Sequence, residues 1–310
     1  MKKVFIDGSS GTTGLRIRER LEQRKDIELL SAATEFRHDA EYRKALMNQA
    51  DIVFLCLPDA AAIEAAELPE NPETVILDTS TAHRTASDWV YGFPELSGEY
   101  KAKICSAKRI AVPGCHASGF IALIYPLLRE KALSPEVLLS CHSLTGFSGG
   151  GKSMIADYSS AARSKLLDAP RQYGLTQQHK HLKEMKAITG LAAAPIFSPI
   201  VADYFSGMEV SVPLFANQLN RGFGVEDIKK IYQEYYSGVI VRYVENMGED
   251  GFLSANRLSG KDSMELSVLG NADRILLTAV YDNLGKGASG AAIECMNLTL
   301  GLKEEYGLSV

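Results

Sequence analysis

The feature that most constrains this chain is its opening: the apolar run Lys3 to Asp7, the turn Gly8-Ser9-Ser10-Gly11-Thr12-Thr13-Gly14, and an amphipathic stretch from Leu15 to Lys25. A strand that turns through glycines into a helix is the start of a βαβ unit. The glycines permit tight turning and close backbone approach, while the helix start offers open N–H groups to a pyrophosphate. On that reading Gly8, Ser10, Gly11, Thr12, Thr13 and Gly14 hold a dinucleotide. The spacing is G-x-x-G-x-x-G rather than G-x-G-x-x-G, so a Gly/Ser/Thr-rich turn without a ligand is the plain alternative.

The alternation continues. Ile27 to Ala32 reads as a strand, Asp39 to Asn48 as a helix, Ile52 to Leu57 as a buried strand, Ala60 to Glu67 as a helix and Val75 to Asp78 as a further strand. This predicts an α/β chain whose N-terminal part is a Rossmann-type doubly wound parallel sheet. Beyond Cys115 the strand-like runs Val137 to Leu144, Ile196 to Val201, Met208 to Leu214, Val239 to Val244 and Ile275 to Tyr281 have fewer helices between them. They predict an α+β domain with a mixed or antiparallel sheet. The helical period returns from Gly287 to Leu302 and is expected to pack back on the first domain. The expected boundaries are therefore 1–114 with 287–310 for dinucleotide binding, and 115–286 for catalysis and dimerisation.

Charge and cysteine content exclude several function classes. With 33 Lys plus Arg against 38 Asp plus Glu, the net charge of -5 leaves no footprint for nucleic acid. The apolar run Val4 to Ile6 is too short for a signal-peptide core, and Phe120 to Leu128 is interrupted by Pro126, so no stretch reaches the ~20 residues of a membrane span. Five cysteines without paired short spacing suggest neither a disulfide framework nor a metal-ligand pattern. A soluble cytoplasmic chain with reduced thiols, no membrane partner and no metal is the expectation.

The second strand tests the choice of dinucleotide. An acidic residue at its end would hold a ribose 2'-OH, but here Glu28-Leu29-Leu30-Ser31-Ala32-Ala33 runs into Thr34-Glu35-Phe36-Arg37-His38. Arg37 is suited to a 2'-phosphate and favours NADP, although Glu35 leaves the choice open.

A nucleophile stands out in Ala111-Val112-Pro113-Gly114-Cys115-His116-Ala117-Ser118-Gly119, where a cysteine follows a Pro-Gly turn and opens an apolar helical run. A thiol at a helix N-terminus is stabilised as thiolate. Cys56, Cys141 and Cys295 lie in apolar runs and read as core thiols. Gln178-His179-Lys180-His181 supplies two imidazoles two residues apart. Both face one way if the segment is extended and only one faces the thiol if it is helical; a solvated surface pair is the plain alternative. His83, His116 and His142 are weaker candidates. The donor-rich loop Phe147-Ser148-Gly149-Gly150-Gly151-Lys152 offers Lys152 to an anion. Gly146, Gly151, Lys152 and Ser153 also match G-x-x-x-x-G-K-[ST] literally, but no long helix is expected after them, which argues against a triphosphate loop.

Seven ordered segments carry a resemblance that spans nearly the whole chain. They are Ile6 to Gly14, Leu77-Asp78-Thr79-Ser80-Thr81-Ala82-His83-Arg84, Tyr91-Gly92-Phe93-Pro94-Glu95-Leu96, Pro113-Gly114-Cys115, Gly149-Gly150-Gly151-Lys152, His179-Lys180-His181 and Asp282-Asn283-Leu284-Gly285-Lys286-Gly287-Ala288. Together they resemble the N-acetyl-gamma-glutamyl-phosphate reductases in the shorter of their two forms, relatives of the aspartate-semialdehyde dehydrogenases. The family's usual Asn-Pro-Gly-Cys-Tyr-Pro-Thr is altered here at Val112, His116, Ala117 and Ser118, with the cysteine kept.

The resemblance implies NADPH-dependent reduction of a small acyl phosphate, N-acetyl-L-glutamyl 5-phosphate, to the 5-semialdehyde with release of phosphate, a step of arginine biosynthesis. It implies a homo-oligomer, dimer or tetramer. Cys115 would attack the acyl phosphate, with His181 as acid/base and His179 as substitute. Ser80 and Asn283 would join the cofactor residues. Arg109 or Lys152 would hold phosphate or the substrate carboxylate, beside Ser148 and Gly149. The rival readings are a semialdehyde dehydrogenase acting on aspartyl phosphate and a non-catalytic NADP-binding sensor on the same fold.

Overall fold

The structure is a computed structural model that describes residues 1–36 and 39–310. The chain divides into two compact units: 1–94, 98–113 and 288–308 form one, and 95–97, 114–287 and 309–310 form the other.

The first unit runs β1 (Lys2–Asp7), α1 (Thr12–Leu21), β2 (Ile27–Leu30), α2 (Ala40–Gln49), β3 (Ile52–Leu55), α3 (Asp59–Ala66), β4 (Val75–Asp78), β5 (Val90–Tyr91), α4 (Gly98–Ser106) and β6 (Arg109–Ala111). Its sheet has the order β2-β1-β3-β4-β6-β5, and every pairing is parallel. Every residue of β3 and β4 is buried, as expected of central parallel strands covered on both faces. Chain order reverses between β1's two neighbours, β2 and β3, which is the switch point where such sheets bind ligands at their carboxyl ends.

The second unit runs α5 (Cys115–Arg129), β7 (Ser140–Gly146), α6 (Gly151–Ser159), β8 (Arg171–Gln172), α7 (His181–Thr189), β9 (Ile196–Ala202), β10 (Met208–Phe215), α8 (Val225–Tyr235), β11 (Val241–Tyr243), β12 (Met264–Gly270) and β13 (Arg274–Tyr281). The sheet order is β11-β12-β13-β10-β7-β9-β8, mixed, with β11/β12 and β7/β9 parallel and the rest antiparallel. The chain returns to the first unit with α9 (Gly290–Thr299), whose Ala291, Ile293 and Met296 join Ile6, Phe54 and Leu77 in its core.

Helix α5 carries the thiol and is apolar nearly all round, so it is buried against β10, β13, α7 and α8. Pro126 lies inside it and has no N–H to give to the Ala122 carbonyl. Tyr236 donates its hydroxyl to that carbonyl at 2.7 Å, which removes the defect. Tyr232 does the same for Leu123 one residue on, at 2.5 Å.

Two expectations about strands are corrected. The strand expected from Val137 begins only at Ser140, and the one expected over Val239 to Val244 is confined to Val241–Tyr243. Strand β12 was not anticipated. A helix of only nine residues, α6, starts at Gly151 inside the Gly146 to Ser153 match. That loop is no triphosphate cradle: the amides of Gly146, Phe147 and Ser148 donate to Gly207, Tyr204 and Phe205. Among the described residues no helix is long and apolar enough to cross a membrane.

Candidate active site

In the first unit the glycine loop closes between β1 and α1. Gly8 has φ of +85°, and a Cβ there would run into the Cys56 carbonyl oxygen. A Cβ on Gly14 would lie 2.5 Å from the Gly8 oxygen, so the loop is compact because both residues lack side chains. Gly11 caps α1 without any side-chain hydrogen bond, which leaves the first-turn amides, including those of Thr12 and Thr13, uncapped by protein side chains. This arrangement fits a dinucleotide pyrophosphate. Asp7 at the end of β1 is buried and pairs with Arg43 at 2.5 Å, a contact the sequence did not announce. Arg37, assigned to a 2'-phosphate, lies outside the described residues.

The segment after β4 is organised by the buried Asp78. Its carboxylate accepts the Ser80 N–H at 2.9 Å and the Ser80 hydroxyl at 2.7 Å, and bonds His83 Nδ1 at 2.7 Å. His83 stacks on Trp89 at 4.0 Å. Ser80, expected at the cofactor, therefore directs its hydroxyl proton into its own loop.

Arg109 departs from its expected role. Its guanidinium pairs with Glu67 at 3.1 Å and Asp88 at 3.4 Å and lies 5.7 Å from the Trp89 ring, all within the first unit. Opposing carboxylates already neutralise it, so the structure does not present it as an anion clamp.

In the second unit Cys115 is the first residue of α5, and Gly114 caps the helix without a side-chain bond. The Gly114 N–H donates to the buried Glu184 of α7 at 2.7 Å. Cys115 sits half-buried, and a Cβ on Gly287 would lie 3.0 Å from its own Cβ. Burial pushes the Cys56 thiol up to about 12 and raises Cys141 as well, so those thiols are held protonated and unreactive.

Both imidazoles of the His-Lys-His segment reach the same place. Lys180 adopts αR geometry just ahead of α7, so the segment is neither extended nor fully helical. The His179 and His181 rings stand 4.7 Å apart, and they lie 5.8 and 5.6 Å from His116. His179 Nδ1 accepts the His181 N–H at 3.2 Å, which puts the proton of a neutral His179 ring on Nε2. Burial and, secondarily, Lys180 push His179 down to about 4.

Sequence reasoning underrated His116 and missed Tyr173. His116 is buried, with Nδ1 bonded to the Ser143 hydroxyl at 2.7 Å and Nε2 to the Tyr173 hydroxyl at 2.6 Å. Burial, then the charge of His179, push it down to about 3, so the ring is neutral and one nitrogen donates while the other accepts. The Tyr173 phenol is raised by burial and, secondarily, by the negative charge of Cys115. The adjacency of Cys115 and His116 in the chain was the one signal available.

Of the substrate residues expected on the glycine-lysine loop, Gly149 and Lys152 are exposed and Ser148 is buried. Asn283, expected at the cofactor, accepts the Gly207 N–H at 2.9 Å and donates to the Ser148 hydroxyl at 3.0 Å. It braces the loop of its own unit.

Residues 3–104 match the semialdehyde dehydrogenase NAD binding domain and 115–283 the semialdehyde dehydrogenase dimerisation domain. The chain is 43% identical over 320 residues to N-acetyl-gamma-glutamyl-phosphate reductase 2 of Nostoc sp., covering 99% of both chains. It is 45% identical over 305 residues to the N-acetyl-gamma-glutamyl-phosphate reductase of Allorhizobium ampelinum, covering 96% of this chain and 98% of the relative. In fold it is similar to Vibrio cholerae aspartate semialdehyde dehydrogenase II complexed with ASA, with a TM-score of 0.72 at 15% identity over 97% of this chain and 98% of that one. It is also similar to the Candida albicans aspartate semialdehyde dehydrogenase with NADP, with a TM-score of 0.65 at 15% identity over 96% and 98%. This chain is a nicotinamide-dependent oxidoreductase of the semialdehyde dehydrogenase type and belongs to the N-acetyl-gamma-glutamyl-phosphate reductase family.

Proposed function

We propose that the chain reduces N-acetyl-L-glutamyl 5-phosphate to N-acetyl-L-glutamate 5-semialdehyde with NADPH, through a thioester on Cys115, as a homo-oligomer in the cytoplasmic route to arginine. The observation that carries this reading is a cysteine at the head of a buried helix whose next residue, His116, clusters its ring with those of His179 and His181. The substrate follows from the names of full-length relatives at 43% and 45% identity.

The Cys115 sulfur attacks the acyl carbon; the S–C bond forms, the C–O bond to phosphate breaks, and the departing oxygen takes up a proton so that the group leaves as hydrogenphosphate. His181 takes the thiol proton, and its imidazolium then faces the developing oxyanion. The uncapped amides at the start of α5 add donors to that oxygen. Reduced nicotinamide, when bound, supplies the hydride that the thioester carbonyl carbon accepts. The resulting hemithioacetal anion collapses: the C–S bond breaks, the aldehyde leaves and the thiolate is restored. His179, neutral and braced by the His181 N–H, substitutes for or orients His181. The glycine loop holds the dinucleotide beside the Ser80 turn that Asp78 organises, and Arg37 takes its 2'-phosphate. Ser148, Gly149 and Lys152 receive the anionic ends of the substrate.

The test is reduction of NADP by N-acetylglutamate semialdehyde in the presence and absence of phosphate. Strict dependence on phosphate is expected, with little turnover of aspartate semialdehyde. Preference for aspartate semialdehyde would replace the substrate assignment, and turnover of neither aldehyde would favour a sensor.

A further inference from the structure

We propose that Tyr281 is a positioning residue for Cys115, acting through a hydroxyl that bridges the first turn of α5; the inference rests on Cys115 being the nucleophile. Tyr281 is the last residue of β13 and is fully buried beneath that turn. Its hydroxyl donates to the Cys115 carbonyl at 2.5 Å and accepts the Gly119 N–H at 2.9 Å. Cys115 and Gly119 are the pair that an α-helix joins directly from carbonyl to N–H. A side chain seated at that rung of the ladder reshapes the local helix.

The fit around the hydroxyl is specific. A Cβ on Gly119 would lie 2.7 Å from the Tyr281 oxygen and 2.7 Å from Val210 Cγ2, so any larger residue at 119 displaces the phenol. On its other side, the thiol-bearing carbon sits against Gly287, where an added Cβ would come within 3.0 Å. Burial and the negative charge of Cys115 raise the phenol well above its ordinary value, so it stays protonated and keeps donating at any working pH.

The consequence concerns direction rather than proton transfer. A hydrogen bond to the Cys115 carbonyl fixes the peptide that follows the nucleophile, while Glu184 holds the Gly114 N–H that precedes it. Two side chains from different elements thus pin the backbone on either side of the thiol, which sets where Sγ points and where the amides of His116 and Ala117 are aimed. Attack geometry tolerates errors of about 0.5 Å, so loss of one pin lowers the rate without touching any group that meets substrate.

The test is Tyr281→Phe, which keeps the ring and removes the hydroxyl. Turnover should fall on the order of tenfold or more with KM within about twofold. Iodoacetamide labelling of the Cys115 peptide, followed by mass spectrometry from pH 6 to 9, should slow in parallel. General loosening of the fold would instead speed labelling of the buried Cys141 and Cys295. Unchanged turnover, or lower turnover with unchanged Cys115 labelling, overturns the proposal. Should Tyr281→Phe fail to fold, Gly119→Ala displaces the same hydroxyl and must show the same joint loss. Full activity in Cys115→Ser would remove the nucleophile assignment itself, whereas an unaltered Tyr281→Phe enzyme leaves that assignment standing.

Discussion

The carboxylate of Glu184 accepts the backbone N–H of Gly114 at 2.7 Å, with both groups buried. Glu184 stands three residues after His181 on α7, and Gly114 caps the helix that begins with Cys115. One hydrogen bond therefore ties the acid/base helix to the nucleophile turn. Glu184→Ala would strand a buried donor, which costs about 1–3 kcal/mol. Glu184→Gln keeps an oxygen acceptor and should retain most of the stability. Thermal melting and turnover of the two variants check this; equal behaviour of the alanine and parent enzymes would discard the tether.

The cofactor preference is tested at Arg37. NADP should give a higher kcat/KM than NAD, and Arg37→Ala should weaken NADP binding more than NAD binding. A charge-assisted contact to phosphate is worth roughly 1.5 to 3 kcal/mol. Titration of both cofactors against both enzymes measures the difference, and equal losses would move the phosphate site elsewhere. Arg43 is the weaker candidate because Asp7 already neutralises it at 2.5 Å.

The imidazoles can be ranked by substitution. His181→Asn should lower turnover by a factor on the order of 100 or more with cofactor affinity nearly unchanged. His179→Asn should cost less, since His179 is held down to about 4 and is a neutral neighbour of His181 at neutral pH. A larger loss for His179→Asn would invert the assignment.

Stability should depend on pH through the same cluster. Burial holds His116 down to about 3, and burial with Lys180 holds His179 down to about 4. Unfolded, both would titrate near pH 6.5. Between those values the unfolded chain binds more protons than the folded one, so stability rises with pH and is lost as pH falls from about 6.5 towards 4. The urea midpoint should be lower at pH 5 than at pH 7, and His116→Gln should flatten that slope. A slope unchanged in His116→Gln would mean that other groups cause it.

Strands β3 and β4 were legible because central parallel strands are continuous apolar runs, and α5 was legible because it is apolar from Phe120 to Leu128. Strand β12 was not, because Glu265 interrupts it. That carboxylate is buried only because Arg242 and Arg257 pair with it, at 2.5 and 3.0 Å, and those arginines lie on other segments. The site divides in the same way. Cys115 announces itself through the local Pro-Gly-Cys turn, whereas Tyr173 acquires its place by bonding His116 from 57 residues away. Arg109, which the resemblance offered to phosphate or carboxylate, pairs with Glu67 and Asp88, partners 42 and 21 residues away in the chain.

The mechanism stands or falls on a covalent acyl-enzyme at Cys115. A thiol in the first turn of a fifteen-residue helix sits where unpaired N–H groups and the helix dipole favour its ionised form. Burial disfavours ionisation at Cys56 and Cys141, so alkylation should reach Cys115 before those two. Cys115→Ser should be nearly inactive, because a hydroxyl is a far weaker nucleophile at neutral pH without a strong base beside it. His116, held down to about 3 with both ring nitrogens already hydrogen-bonded, is too weakly basic to supply one. Enzyme mixed with the acyl phosphate while NADPH is withheld should carry the acyl mass on the peptide containing Cys115, and the adduct should vanish when NADPH is added. Full activity in Cys115→Ser would leave the pathway without its nucleophile, and the three-imidazole cluster would then need another substrate-bonding partner.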